Sequence, residues 1–393
     1  MKTLDLLEGI LDRGWTAKTI AKANVEYYRL GEVSKKISRD SFVLAKGSQF
    51  YDGKSASFPL LKVSKIETGI SPAQDSKLTV IITDLYQKQE DVNKLNTEIY
   101  NKYLNQSGNA VGILAIKSEF NGDVYIEDGT NRKFQYNTHD AQGRANSKGF
   151  RPFYAIFLGN YPDIADAFSR IKNSRSLPND SQLVIFSPDH LVADLSYIKS
   201  LGDGYKQLPD GIYVRQSFSD GNVVVESVEN KVELLEVDKS VAQPVSIPYN
   251  LPLKQLDNTL LFDPNDIKIE VIINKVDSIE KKWKPEQKGS ALEQAVELSK
   301  WQVDQSNNLN FVTTIKPEAL SVPGLYTFAF EAIAQDIKAE TWWTEWSTDN
   351  NFSNDWKTYN LKSFLDSLQR DTSSLIRKRK VVIGRFCYAV QKN

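Results

Sequence analysis

Residues 77–84 read KLTVIITD, and the interpretation of that stretch decides the fold. Four consecutive apolar or β-branched residues, Val80, Ile81, Ile82 and Thr83, end on the carboxylate of Asp84. A run so short and so continuous predicts a central strand, apolar on both faces, in a parallel sheet. Residues 85–104 (LYQKQEDVNKLNTEIYNKYL) then place apolar side chains at helical spacing, and residues 110–116 (AVGILAI) read as a second buried strand. Strand, helix and strand make a βαβ unit. Asp84 is thereby expected at the carboxyl end of a central strand, where open α/β sheets place their ligands.

Working outward, residues 4–23 carry apolar residues at the spacing of an amphipathic helix. VEYYRL (25–30) reads as a short strand, and residues 57–66 as a loop leading into a helix. Beyond the second strand, NGDVYIEDGTNRKF predicts a hairpin turning at Asp128-Gly129, and residues 139–149 a long polar loop. RPFYAIFLG (151–159) reads as a third buried strand, residues 161–171 as a helix and QLVIF (182–186) as an edge strand. From about residue 205 the pattern changes to short alternating segments, among them GIYVRQSF, VELLEV, DIKIEVIINKV and GLYTFAFEAIA, separated by proline, Asp-Gly and Pro-Gly turns. That is the signature of a β-sandwich. Residues 290–301 and 358–371 read as helices within it, and VVIGRFCYAV closes the chain as a strand.

Composition narrows the function classes. The chain has 393 residues, 40% apolar and 25% charged, which suits two or three globular domains. A net charge of -1 gives no global field toward nucleic acid or an anionic membrane, and nucleic acid is disfavoured as a partner. No stretch approaches the roughly 20 apolar residues that span a bilayer, and the acidic residues in MKTLDLLEGILDRGW argue against a signal peptide. The single cysteine, Cys387, excludes an intrachain disulfide and fits a reducing cytoplasm. Two histidines, His139 and His190, leave few candidates for a histidine base.

The strand ending in Thr83-Asp84, the helix after it and the strand over residues 110–116 resemble the von Willebrand factor A family. The resemblance covers roughly residues 1–200 and implies a doubly wound, mostly parallel Rossmann-like sheet with a metal-ion-dependent adhesion site on its top edge. In that family an early strand ends in Asp-x-Ser-x-Ser, a loop supplies a threonine, and the fourth strand ends in an aspartate. Thr83-Asp84 matches the last element, and Ser57 or Ser55 is the candidate for the threonine position, since a serine hydroxyl is also a hard oxygen ligand. Asp-x-Ser-x-Ser is absent from the sequence. The segments Ser118-Glu119-Phe120-Asn121-Gly122 and Arg151-Pro152-Phe153-Tyr154 further resemble a set of bacterial proteins carrying such a domain. One carboxylate and one hydroxyl do not hold Mg²⁺ firmly against water, so the resemblance implies a degenerate site that binds no metal or binds Mg²⁺ weakly.

Each candidate residue has a structural alternative. Asp84 can bind a metal or cap the following helix. Glu119, at the same strand edge, can join Asp84 in acid–base or cation chemistry or be a solvated loop carboxylate. Arg151 can bind a partner's carboxylate or form an internal ion pair. Trp342, Trp343 and Trp346, in TWWTEWS, can form an interaction patch or fill the core. Ser187-Pro188-Asp189-His190 reads as a turn, and the basic run Arg377–Lys380 as a solvated one. The sequence therefore predicts an α/β domain over 1–204 and an all-β, sandwich-like domain over 205–393. The function expected is a non-enzymatic protein-interaction module or scaffold in a bacterial cytoplasmic assembly, its partner another protein chain or a second copy. The alternatives are a metal-dependent hydrolase using Asp84 and Glu119, and ligand binding through the tryptophans.

Overall fold

A computed structural model describes the chain apart from residues 1–8, 10–23, 48–49, 52, 60, 62–63, 76, 127–131, 175–176, 194, 196–207, 221–222, 228–230 and 352–354. The expected helix over 4–23, the Asp128-Gly129 turn and the boundary at 204/205 lie outside the described residues. The chain forms two compact units, each assembled from separate stretches: Met1–His190, Asp257–Leu260 and Lys338–Leu375 in one, Leu191–Leu256, Leu261–Ile337 and Ile376–Asn393 in the other. The protein is thus a mixed α/β and all-β chain with several sheets.

The first unit is built on β1 (Thr79–Thr83), α1 (Gln89–Ile99), β2 (Asn109–Ser118), the hairpin β3 (Asn121–Tyr125) and β4 (Lys133–Asn137), β5 (Arg151–Asn160), α2 (Tyr161–Lys172) and β6 (Gln182–Phe186). The strand order is β6-β2-β5-β1, and every neighbouring pair is antiparallel. The expected parallel sheet with a central 79–83 strand is therefore corrected: β1 is an edge strand, and β5 lies between it and β2. Residues buried on both faces explain the misreading. β2 and β5 are buried over nearly their whole length, whereas β1 is buried only at Ile81. A continuous apolar run reports that both faces are covered, and it carries no information on strand direction.

The two crossovers, β1-α1-β2 and β5-α2-β6, each step over an antiparallel strand, as in split βαβ units. They place their helices on opposite faces. Thr79, on the face shared with Leu158 and Val111, meets the Tyr103 hydroxyl at 3.4 Å, at the end of the π-helical turn Tyr100–Leu104 that continues α1. On the other face Phe157 meets Phe168 of α2 edge-on at 5.1 Å. Gly112 allows this close approach, because a Cβ there would lie 2.7 Å from both Ile164 Cγ2 and Phe168 Cζ. The outer edge of β6 is bridged by Thr259, with the Ile185 amide donating to Asn258 O at 2.7 Å and the Leu260 amide to Ile185 O at 3.1 Å. Among the described residues β1 has no second strand neighbour.

The second unit contains β7 (Ile212–Val214), β8 (Ser217–Asp220), β9 (Val223–Glu226), β10 (Val232–Val237), β11 (Val245–Pro252), β12 (Ile267–Val276), β13 (Trp283–Pro285), β14 (Val296–Val303), β15 (Asn308–Ile315), β16 (Gly324–Ala334) and β17 (Val382–Lys392). A six-stranded sheet in the order β7-β10-β17-β16-β12-β13 and a three-stranded sheet β11-β15-β14 share an aromatic core. Phe311 stacks on Trp301 at 4.6 Å and meets Phe386 at 5.1 Å, and Tyr249 meets Tyr388 edge-on at 5.9 Å. The hairpin β8-β9 covers the far side of the larger sheet with Phe218 and Val223 against Leu234 and Ala389. The expected helix over 290–301 is corrected to a single 3-10 turn, Ala291–Gln294, followed by β14. Val296 and Leu298 point inward on either side of exposed Glu297, a period of two that outweighs the helical reading. The expected helix near 358–371 is observed as α3 (Leu361–Arg379); Arg377, Lys378 and Arg379 form its last turn, where cations complement the helix dipole, and Lys380 follows in the turn beyond it.

Glu233 on β10 stands directly opposite Tyr388 and beside Tyr249. The Tyr388 hydroxyl lies 2.6 Å from Thr313 Oγ1, while the Tyr249 hydroxyl makes no well-formed hydrogen bond. Burial pushes the Glu233 carboxyl up to about 7, against the lowering influence of Tyr249. The folded chain therefore keeps a proton that the unfolded chain releases above its ordinary value of 4.5. This contribution to stability is fully present below that value and is lost as pH rises through about 7.

Two outcomes follow for folding. In urea unfolding at a series of pH values, Glu233→Gln should match the native chain near pH 4 and exceed it at pH 8 by up to about 3 kcal/mol. Gly112→Ala should destabilise by roughly 1–3 kcal/mol through overpacking against α2, read by the same method.

Candidate functional site

The carboxyl ends of β1 and β2 and the start of β5 meet at one end of the sheet, because Thr83 pairs with Tyr154 and Ser118 with Arg151. The strands thus deliver Asp84, Glu119 and Arg151 to the same end, as the sequence predicts. They do not bring them into one group. β5 separates the other two strands, so the strand ends that lead into Asp84 and Glu119 are two strand spacings apart, about 10 Å. Glu119 instead pairs with His139, Oε2 to Nε2 at 3.4 Å.

Arg151 organises this end. It is 8% exposed, and its guanidinium lies over the rings of Tyr136 at 5.2 Å, Tyr86 at 5.6 Å and Phe120 at 5.8 Å. Its Nη1 donates to Asp355 O at 2.9 Å. Tyr136 in turn donates to Gly149 O at 2.8 Å, and Tyr86 to Asn351 O at 2.9 Å. Tyr154 and Thr358 share a buried hydroxyl–hydroxyl hydrogen bond of 2.9 Å. One buried cation thereby ties the β1–α1 loop, the β3-β4 hairpin, β5 and the 355–359 segment together. Cation–π contacts strengthen when desolvated, to about 2 kcal/mol or more. The three aromatic partners, Tyr86, Phe120 and Tyr136, lie far apart in the chain, so no spacing in the sequence announces them.

Asp84 lies in the loop beyond β1, where Leu85 takes a left-handed backbone with φ 51°. Its Oδ1 accepts from the Tyr86 amide at 3.3 Å, a local turn bond two residues on. The expected cap of α1 is not made by Asp84, since the N-cap position is Lys88. The Asp84 surface stays open to solvent although protein crowds it on most sides, so the carboxyl sits in a recess. Desolvation there raises its pKa, ahead of the lowering effects of the Tyr86 amide and the Arg151 charge. Burial likewise pushes the Tyr86 hydroxyl up to about 12. Ser57 is exposed in the tight turn between the paired strands Lys54–Ser55 and Phe58–Pro59, its amide donating to Ser55 Oγ at 3.3 Å. Among the described residues no cluster of three or more His, Cys, Asp or Glu side chains has metal-binding geometry.

The tryptophans do not form the open patch expected as an interaction surface. Trp342, Trp343 and Trp346 are 4%, 1% and 4% exposed. The helical turn Thr341–Glu345 directs them inward, with Trp343 against Phe186 at 5.7 Å and Trp342 against Trp346 at 5.4 Å. Lys117 closes this cluster, its Nζ 3.8 Å from the Trp356 ring centre and 4.6 Å from that of Trp346. The turn at residues 187–190 is observed. Ser187 Oγ accepts from the His190 amide at 3.1 Å and contacts His190 Nδ1 at 3.2 Å, while His190 stacks on Tyr161 at 4.2 Å. Ser187 is 1% exposed, so its hydroxyl braces the turn and does not face solvent. No helix among the described residues is long and apolar enough to cross a membrane.

The Arg151 cluster is expected to reject even a conservative change. Arg151→Lys keeps the charge and loses the planar stacking, and should lower stability by roughly 1–3 kcal/mol in chemical unfolding. An unchanged unfolding midpoint would show that the three rings hold the hairpin without the guanidinium. No known family's sequence profile matches the chain, and no curated protein matches it.

Proposed function

We propose that this chain is a non-enzymatic protein-interaction module, a scaffold component of a cytoplasmic assembly, that engages another chain along β1. The observation that carries this reading is the edge itself. Thr79–Thr83 is β-branched throughout and uncharged, and among the described residues it pairs on one side only. Natural edge strands are usually blunted by lysine, proline or a bulge, and an unblunted one is a template for strand addition. Backbone groups supply affinity in that mode, and alternate side chains supply specificity.

The side chains at the adjoining sheet end favour the same reading. Arg151 is spent on aromatic rings and a carbonyl, and Glu119 on His139. Helices on both faces keep the doubly wound covering that a von Willebrand factor A-like domain would have, but the antiparallel strand order departs from such a sheet. The reading therefore rests on the edge strand and not on the resemblance.

Ile82 is half-buried on the α2 face, so a lysine there can reach solvent while placing a charge along the edge. Ile82→Lys should keep the circular dichroism and unfolding transition of a folded chain. In affinity capture from cell extract it should lose, by about tenfold or more, whatever chain the native protein retains, a second copy included. Equal recovery by both proteins would contradict binding through β1.

A further inference from the structure

We infer that the occupant of the β1 edge is a second copy of this chain, paired antiparallel about Ile81 to make one continuous eight-stranded sheet. This deepens the interaction reading above and rests on it.

The sequence of the edge is close to a palindrome. With Ile81 opposite Ile81 of the second copy, Thr79 faces Thr83 and Val80 faces Ile82. Directly opposed residues of an antiparallel pair share a face, so a two-fold axis through Ile81 keeps every residue on its own side of the sheet. Val80 and Ile82 of both copies then extend the apolar α2 face, and the threonines meet as cross-strand pairs on the α1 face.

Charge agrees with that register. Exposed Lys77 precedes the strand, and Asp84, whose carboxyl lies in a recess open to solvent, follows it. In that register Lys77 of each copy stands opposite Leu85 of the other and Asp84 opposite Leu78, so each end of the paired strands carries one lysine and one carboxylate. A parallel arrangement would set like charges together. Lys77 makes an exposed hydrogen bond to Ser71 Oγ of 2.8 Å and also feels the charge of Glu26, and a carboxylate can replace the first.

The sheet also limits the assembly to two. Its opposite edge, β6, is bridged from within the chain by Thr259, so growth cannot continue there into a fibre. An isologous contact through β1 uses its own surface and closes. Two five-residue strands make a small interface, below the roughly 1,200 Å² of standard complexes, so the dimer should be concentration-dependent.

Sedimentation equilibrium of the full chain over a wide concentration range tests this. The native chain should shift from monomer toward dimer. Ile82→Lys should raise the dissociation constant by about tenfold or more. A Val80→Cys, Ile82→Cys double variant in a Cys387→Ser background should form a covalent dimer on oxidation, since opposed strand positions are 4.5–5.5 Å apart, within disulfide reach. That variant keeps the test decisive if the lysine variant fails to fold. A native chain that stays monomeric, or a dimer indifferent to Ile82→Lys and unable to cross-link, overturns the self-pairing. A monomer whose capture of a different chain is still lost with Ile82→Lys overturns the self-pairing alone and leaves the interaction reading standing.

Discussion

The ten-residue antiparallel ladder between β2 and β5 is the interaction on which the first unit depends. Both strands are buried on two faces, so their backbone groups have no water to turn to and must pair with each other. The ladder sets the height of every residue at the sheet end. It puts Arg151 opposite Ser118, and the next pairing puts Thr83 opposite Tyr154. It also demands thin contacts where the helices descend, which is why Gly112 stands beneath Ile164 and Phe168.

A consequence of that register is the division of labour between the two sides of β1. On its inner side the strand is held by β5, and the loop that leaves it is pinned by Tyr86 against Arg151. On its outer side it offers an uncharged row of backbone groups. The chemistry-bearing residues nearby are committed to structure. Arg151 is a packing cation, Glu119 lies against the His139 ring nitrogen and Asp84 is a recessed carboxyl whose local hydrogen bond shapes the loop.

Much of this was legible in the sequence, and the misreadings have physical causes. Apolar runs located all four strands of the first sheet and both of its helices, because hydrophobic periodicity follows burial directly. Strand direction and order were not legible, since burial on two faces looks alike in parallel and antiparallel sheets. KLTVIITD reads as a central strand because its run is continuous. The longer runs over residues 109–118 and 151–160 hold that place. Residues 290–301 misled because ALEQ and the glutamates favour helix locally, while Val296 and Leu298 needed a strand to reach the core. The tryptophans were ambiguous for another reason: an aromatic cluster reads the same whether it faces in or out. The Arg151 cluster was invisible because its rings converge only after the hairpin and the 355–359 segment have folded back.

KLTVIITD thus changes from the presumed floor of an active site to the open margin of a helix-covered sheet. Amide hydrogen exchange, followed residue by residue at two protein concentrations, tests that claim most directly. The account predicts that amides over 111–116 and 154–158 exchange only through global unfolding at either concentration. Outward-facing amides within Thr79–Thr83 should exchange far faster in dilute solution and slow as the concentration rises. Protection of 79–83 equal to that of the central strands and independent of concentration would contradict it.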